Sequence, residues 1–307
     1  MFPNELQARK DIVYYSHKTH AAGLVTATDG NLSVRLDDQH VLITPSGLRK
    51  EDMHIDAPIV IDMDGNLVAG DRKPSTEYKV HLEAYQQRPD VKAVIHAHPP
   101  KAIAFTIAGA PLDTCMLPEI VVTMGEVPIA SYAAPSTAAL PESMRELITK
   151  SDALMLARHG SVTVGPSLSE AFKRLEKLEH NAEIMIYARM LGGAQPFSEN
   201  QLQELQGLRG FYGINTQQIA CAAPGTRPAH GSSTPPAQHA PQPAPPAQPQ
   251  PAASAADNNA ANRKDHFGGW HDGEAQAPTY RRSGNGAHEP EIDELVDEIV
   301  ARVKQRL

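Results

Sequence analysis

The sequence is poor in cysteine, in long apolar runs and in long basic runs, and each scarcity excludes something. Cys115 and Cys221 are too few for a disulfide framework and form no close-spaced metal-binding pair, which fits a reducing cytoplasm. No segment approaches the ~18 apolar residues of a membrane span, and residues 1 to 10 hold no apolar leader core. No long basic run interrupts a net charge of −8, which argues against a general affinity for nucleic acid or anionic lipid. The expectation is a soluble, unprocessed, cytoplasmic protein.

What is present divides near residue 215, where proline, alanine, glutamine and glycine replace regularly spaced apolar segments. Residues 1–214 are long enough to bury a sizeable core. Residues 215–288 are too poor in large apolar groups to offset the entropy of ordering, and are expected to be a disordered linker. Residues 289–307 form a third segment with a helical pattern of its own.

Within the first part, residues 4 to 22 predict a helix with Asn4 at its N-cap and Gly23 after its end. Two hairpins follow, residues 31–36 with 41–44, and 59–61 with 67–68. Ser75 is placed as the N-cap of a helix to about Gln87, followed by a strand from Val91 to His98 and a helix from Pro99. Strands near Val127–Ala130 and Ala153–Ala157, a helix from Ser136 to about Lys150, and a long helix from Ser167 to about Leu191 complete the reading. Hairpins mixed with helices predict a three-layer α/β/α domain around a largely antiparallel sheet.

His96-Ala97-His98 closes a strand, and the two-residue period turns both imidazoles toward one face, where they can grip a single ion. A catalytic zinc site usually has three protein ligands, and His159, ending the run Leu154 to Arg158, is the third candidate. Ordinary histidines at strand ends would give the same local pattern. Glu77, in Pro74-Ser75-Thr76-Glu77, is either a first-turn glutamate complementing the helix dipole or a general base beside the metal. Asn31, Ser46, Gly47, Ser75 and Thr76 sit in turns or caps, where hydroxyl and amide groups can donate to phosphate oxygens.

The order of five motifs decides between these readings: Thr28-Asp29-Gly30-Asn31-Leu32-Ser33, Ile43-Thr44-Pro45-Ser46-Gly47, Pro74-Ser75-Thr76-Glu77, His96-Ala97-His98-Pro99 and Ala157-Arg158-His159-Gly160. Over roughly residues 5 to 210 the chain resembles the class II aldolase and adducin family, and within it the L-fuculose-phosphate aldolase type. The resemblance implies one zinc ion per subunit on His96, His98 and His159, with Glu77 as base and reversible fourth ligand. It implies phosphate binding by Asn31, Ser46, Gly47, Ser75 and Thr76, with Thr28 nearby, and stabilisation of an enediolate by the metal.

The expected activity is retro-aldol cleavage of a 6-deoxyketose 1-phosphate, L-fuculose 1-phosphate or L-rhamnulose 1-phosphate, to dihydroxyacetone phosphate and lactaldehyde. The chain departs from the type at the tyrosine acid, where spacing places Leu117. Glu119 is one substitute, and Tyr212, presented by a neighbouring subunit of a homotetramer, is another. The alternatives are a pentulose-phosphate 4-epimerase or a sugar-phosphate dehydratase on the same scaffold, or an adducin-like interaction module without catalysis. Glu77 stands where the epimerases typically carry aspartate, which favours cleavage.

Ile292, Leu295, Val296, Ile299, Val300, Val303 and Leu307 recur at spacings of three and four, a continuous apolar stripe. Acidic residues crowd its start and basic residues its end, as the helix dipole favours. An amphipathic helix after a long linker resembles the encapsulation peptides that bind shell proteins of bacterial microcompartments. A short coiled coil, or a helix folded back on the enzyme domain, is the alternative. His266, His271, Asp265 and Asp272 are read as ordinary residues of a polar segment, not as a second metal site.

Overall fold

The computed structural model describes residues 2–214 and 218–222. Apart from residues 218–222, the predicted linker lies outside the described residues, as do the apolar stripe of residues 292–307 and the polar segment around Trp270.

The chain opens with helix α1 (Glu5–Ala21). Asn4 occupies its N-cap position without a side-chain cap bond; instead the Glu5 carboxylate accepts from the backbone N–H of Phe2 at 3.0 Å. Strands β1 (Asn31–Arg35) and β2 (His40–Ile43) form the first hairpin, and β3 (Ile59–Asp62) and β4 (Leu67–Ala69) the second. A short 3-10 turn, Lys50–Asp52, lies between the hairpins. Then come α2 (Tyr78–Gln87), β5 (Ala93–Ala97), α3 (Pro100–Ala108), α4 (Pro118–Thr123), β6 (Ile129–Ala130), α5 (Ala139–Ile148), β7 (Ala153–Leu156), β8 (Gly160–Gly165), α6 (Leu168–Met190) and α7 (Glu199–Phe211).

The eight strands form one sheet in the order β4-β3-β2-β1-β5-β8-β7-β6, antiparallel except for the β6–β7 pair. Alternation along the strands splits the core between two faces. Val41, Ile43, Val94, Val162 and Val164 pack on one side with Val80 and Tyr85 of α2 and Leu140 and Met144 of α5. Leu32, Leu42, Ile95 and Ala97 face the other side, against Ile12 of α1 and Phe172 and Leu175 of α6. The α/β/α layering is therefore as the sequence predicts.

Two tertiary links bind these layers. Asp152 receives Nη2 of Arg88 at 2.9 Å and Nη2 of Arg174 at 3.0 Å, all three side chains being nearly buried. This joins the end of α2, on one face, to α6, on the other. Cys115 and Cys221 form a disulfide that closes a sequence separation of 106 residues. Two cysteines make no framework, as the sequence reading has it, but they make one bond, because residues 218–222 return beside α4 through a bridge between Glu126 and Ile219.

Candidate functional site

The site lies where β1, β5 and the β7–β8 turn end together. β1 and β5 pair so that Asn31 faces His96 across the ladder, placing two of the singled-out side chains side by side. His98 follows immediately after β5. His159 comes from the β7–β8 turn, which Arg158 closes with a left-handed φ of 59°. Gly30, at φ 72°, permits the backbone of β1 to enter closely: a Cβ there would stand 2.9 Å from the carbonyl oxygen of His96.

One ligand atom from each of Glu77, His96, His98 and His159 lies within 4.8 Å of the others. Oε2 of Glu77 is 3.2 Å from Nε2 of His96, and its Oε1 is 3.0 Å from Nε2 of His159. The Nε2 atoms of His96 and His98 are 3.2 Å apart. Nδ1 of His96 is 2.9 Å from the carbonyl oxygen of Ser161, which can only accept, so Nδ1 carries a proton and Nε2 is the ring nitrogen turned to the cluster.

Burial and the neighbouring His96 and His159 rings push His98 down to about 3, keeping its imidazole neutral. Burial pushes the Glu77 carboxyl up, but hydrogen bonding to His159 and His96 outweighs it and holds the group well below the usual carboxylate range. Three imidazoles and one carboxylate form a donor set that fits a tetrahedral divalent cation.

Glu77 reaches this position from just before α2. The helix starts at Tyr78, with Glu77 rather than Ser75 at the cap position, and Ser75 forms the turn that leads into it. Nδ2 of Asn31 donates to Oγ of Ser75 at 3.0 Å and approaches Oε2 of Glu77 at 3.5 Å. A buried relay fixes this orientation. With Nδ2 turned to Ser75, Oδ1 of Asn31 accepts from Nε2 of His81; Nδ1 of the neutral ring then accepts from the Ser33 hydroxyl at 2.6 Å, whose oxygen accepts from Tyr85 at 2.8 Å. Burial pushes His81 down to about 3 and raises the Tyr85 phenol, as this neutral arrangement requires.

A cleft of about 380 Å³ opens beside the cluster, lined by Thr28, Asn31, Ser46, Gly47, Ser75 and Thr76 together with Glu77, His98 and His159. The residues predicted for phosphate binding thus share one concave surface. Asp29 and Pro135 also line it and were not singled out from sequence. Asp29 sat inside a quoted motif between two chosen positions, whereas nothing in the sequence tied Pro135 or Ser136 to the site. The Ser136 hydroxyl, on a residue with φ 65°, donates to Oγ1 of Thr76 at 2.8 Å.

Two predicted residues are not brought to this cleft. Glu119 is exposed in the first turn of α4. Tyr212 is 62 % exposed beyond α7, its ring against Phe211. Leu117 is packed in the cluster beneath α3 and α4.

A His₃–Glu set opening onto a hydroxyl-lined cleft has the form of a metal-dependent enzyme acting on a small oxyanion. Residues 10–186 match the class II aldolase and adducin N-terminal domain, and the chain belongs to that family, whose class II aldolases are metal-dependent lyases. It is 32 % identical to a 3-oxo-tetronate 4-phosphate decarboxylase of Pectobacterium atrosepticum, over 59 % of this chain and 85 % of that one. It is 30 % identical to a 5-deoxy-D-ribulose 1-phosphate aldolase of Bacillus thuringiensis serovar kurstaki, over 64 % and 92 %. The solved structure of an L-fuculose 1-phosphate aldolase superposes with a TM-score of 0.61 at 30 % identity, covering 66 % of this chain and 95 % of that one.

Proposed function

We propose that the chain cleaves a deoxyketose 1-phosphate by a zinc-dependent retro-aldol reaction, L-fuculose 1-phosphate or L-rhamnulose 1-phosphate giving dihydroxyacetone phosphate and lactaldehyde. The observation that carries this reading is the convergence of His96, His98, His159 and Glu77 beside a cleft of hydroxyl and amide donors. Zinc held by the three imidazoles would supply an electrophile for the negative charge that grows as the carbon–carbon bond breaks. Asn31, Ser46, Gly47, Ser75 and Thr76 bind the phosphate and set the reacting carbons against Glu77. Glu77 moves the proton at C3 of the three-carbon fragment, converting its enediolate to dihydroxyacetone phosphate. Tyr212 of a neighbouring chain in a homotetramer is the proposed partner for the C4 hydroxyl proton, with Glu119 the alternative.

The decarboxylase relatives favour a second reading. Loss of carbon dioxide from a 3-oxo-tetronate 4-phosphate and cleavage of a ketose 1-phosphate leave the same three-carbon enediolate, so the metal cluster, Glu77 and the phosphate cleft serve both. The two differ only in the leaving group.

The proposal extends to the rest of the chain. Residues 1–214 form the enzyme, to which residues 218–222 are tied through Cys221; the remainder of 215–288 is a linker, and the stripe from Ile292 to Leu307 a helix that docks the cytoplasmic enzyme to a microcompartment shell protein, where a shell would contain the aldehyde. Disulfides are at odds with reducing compartments, so the thiol state of Cys115 and Cys221 bears directly on this location.

The test is to supply the zinc-loaded protein with a panel of ketose 1-phosphates and a 3-oxo-tetronate 4-phosphate, following dihydroxyacetone phosphate. Turnover of a ketose 1-phosphate, lost in Glu77→Gln and His96→Ala, is expected. Equal turnover in the variants, or none with any substrate, overturns the proposal.

A further inference from the structure

Lys50, in the 3-10 turn after β2, is 1 % exposed, an unusual position for an ammonium group. Its Nζ donates to the backbone carbonyls of Thr28 at 2.8 Å and Leu48 at 3.3 Å. Neither contact is ionic. The carboxylates that act on it, Asp29 and Glu77, both line the cleft, and they act through the Coulomb field across the intervening turn. A charge withdrawn from water is costly unless an opposite charge meets it.

The cleft presents the complementary deficit. Among the described residues its lining carries two carboxylates and no lysine or arginine, yet the substrate class proposed above brings a phosphate dianion into it. Thr28 stands where the two deficits meet, its carbonyl holding Lys50 and the residue itself lining the cleft. We propose that Lys50 is the counter-charge for the substrate phosphate, acting from behind the Thr26–Asp29 turn and making the site selective for phosphorylated over unphosphorylated ketoses.

This inference rests on the proposed function for the identity of the anion. A field from behind the turn is effective because protein surrounds the path, where opposite charges interact more strongly than in water. Burial pushes Lys50 down to about 8, with Asp29 and Glu77 opposing the fall, so the group keeps its proton at neutral pH. A staple that merely held the Thr28 carbonyl would not need charge: an amide could donate the same hydrogen bond.

That difference sets the experiment, made on the zinc-loaded full chain with inorganic phosphate as the probe. Lys50→Met removes charge and donor, Lys50→Gln removes charge but keeps a donor, and Lys50→Arg keeps charge. The dissociation constant for phosphate should rise about tenfold or more in both neutral variants and stay within about threefold in Lys50→Arg, the size of effect a neighbouring opposite charge exerts. Melting temperatures should hold or rise in the neutral variants, since removing a buried charge relieves its desolvation. In turnover, KM for the ketose 1-phosphate should rise with kcat little changed, and kcat/KM for the unphosphorylated ketose should stay level.

A wild-type phosphate constant in Lys50→Gln overturns the proposal. In wild-type protein labelled with ¹⁵N-lysine, phosphate should shift the Nζ resonance of Lys50, and no shift overturns the proposal even if the neutral variants do not fold. Phosphate binding is read without turnover, so failure of the lyase reading and failure of this inference are separately visible.

Discussion

Gly160 leaves room for His98: a side-chain carbon at position 160 would stand 2.9 Å from Cδ2 of His98, and 2.5 Å from the carbonyl oxygen of Ala97. The backbone oxygen cannot swing aside as the tip of a long side chain can. Gly160→Ala must therefore push β8 away from β5 at the point where His159 enters the cluster. Zinc affinity should fall by about 10- to 100-fold, as is typical when the supports of metal ligands are disturbed. Competition with a chelating dye measures this, and an unchanged affinity would show that the fit is loose.

His81 gives the fold a pH dependence whose sign follows from its burial. Its folded value, about 3, lies below the ordinary 6.5, so below pH 6.5 the unfolded chain binds a proton that the folded chain refuses. Stability is then lost as pH falls from 6.5 toward about 3. Between pH 7 and pH 5 the loss from this residue is about 2 kcal/mol. Urea unfolding at both pH values should show a smaller difference for His81→Gln than for wild type by roughly that amount. Equal differences would place the neutral relay in error.

Asp152 is the single carboxylate between two guanidinium groups that belong to opposite faces of the sheet. Asp152→Ala would leave Arg174 buried without this carboxylate, while Arg88 keeps its pair with Asp90, and should cost about 3 kcal/mol. Denaturant unfolding reads the loss, while kcat per folded molecule should hold because the triad lies outside the cleft. A loss under about 1 kcal/mol would mean that water reaches the guanidinium groups.

Much of the site was legible because its residues fall at strand ends, turns and caps with recognisable local signals. His96 and His98 are two apart on a strand, and Glu77 precedes an amphipathic helix. What the sequence hid has particular causes. Strand β8 carries Ser161 and Thr163 fully buried, so polar residues mark an inner face there. Helix α4 has only 6 residues, too few to display a period, and α7 buries only Leu202 while carrying Gly207 and Gly210. His81 carries no local signal in the sequence, and only the packing of α2 against β1 reveals that it holds Asn31.

The cysteine pair follows the same logic, since partners 106 residues apart leave no signal in spacing. Protein purified without reductant should show no titratable thiol until it is unfolded and reduced. Cys221→Ser should lower stability by about 2–4 kcal/mol. Two free thiols in the unreduced native protein would contradict the bond and restore the expectation of a reduced chain.

In the proposed reaction Glu77 moves a proton at C3 of the three-carbon fragment beside a metal held by His96, His98 and His159. Hydrogen–deuterium exchange into dihydroxyacetone phosphate, followed by proton NMR in deuterium oxide, tests that step without knowledge of the leaving group. The zinc-loaded protein should exchange one C3 proton stereospecifically, with exchange lost on chelation or in Glu77→Gln. No exchange by the zinc-loaded wild type, or exchange as fast in Glu77→Gln, would rule Glu77 out as the group that moves this proton.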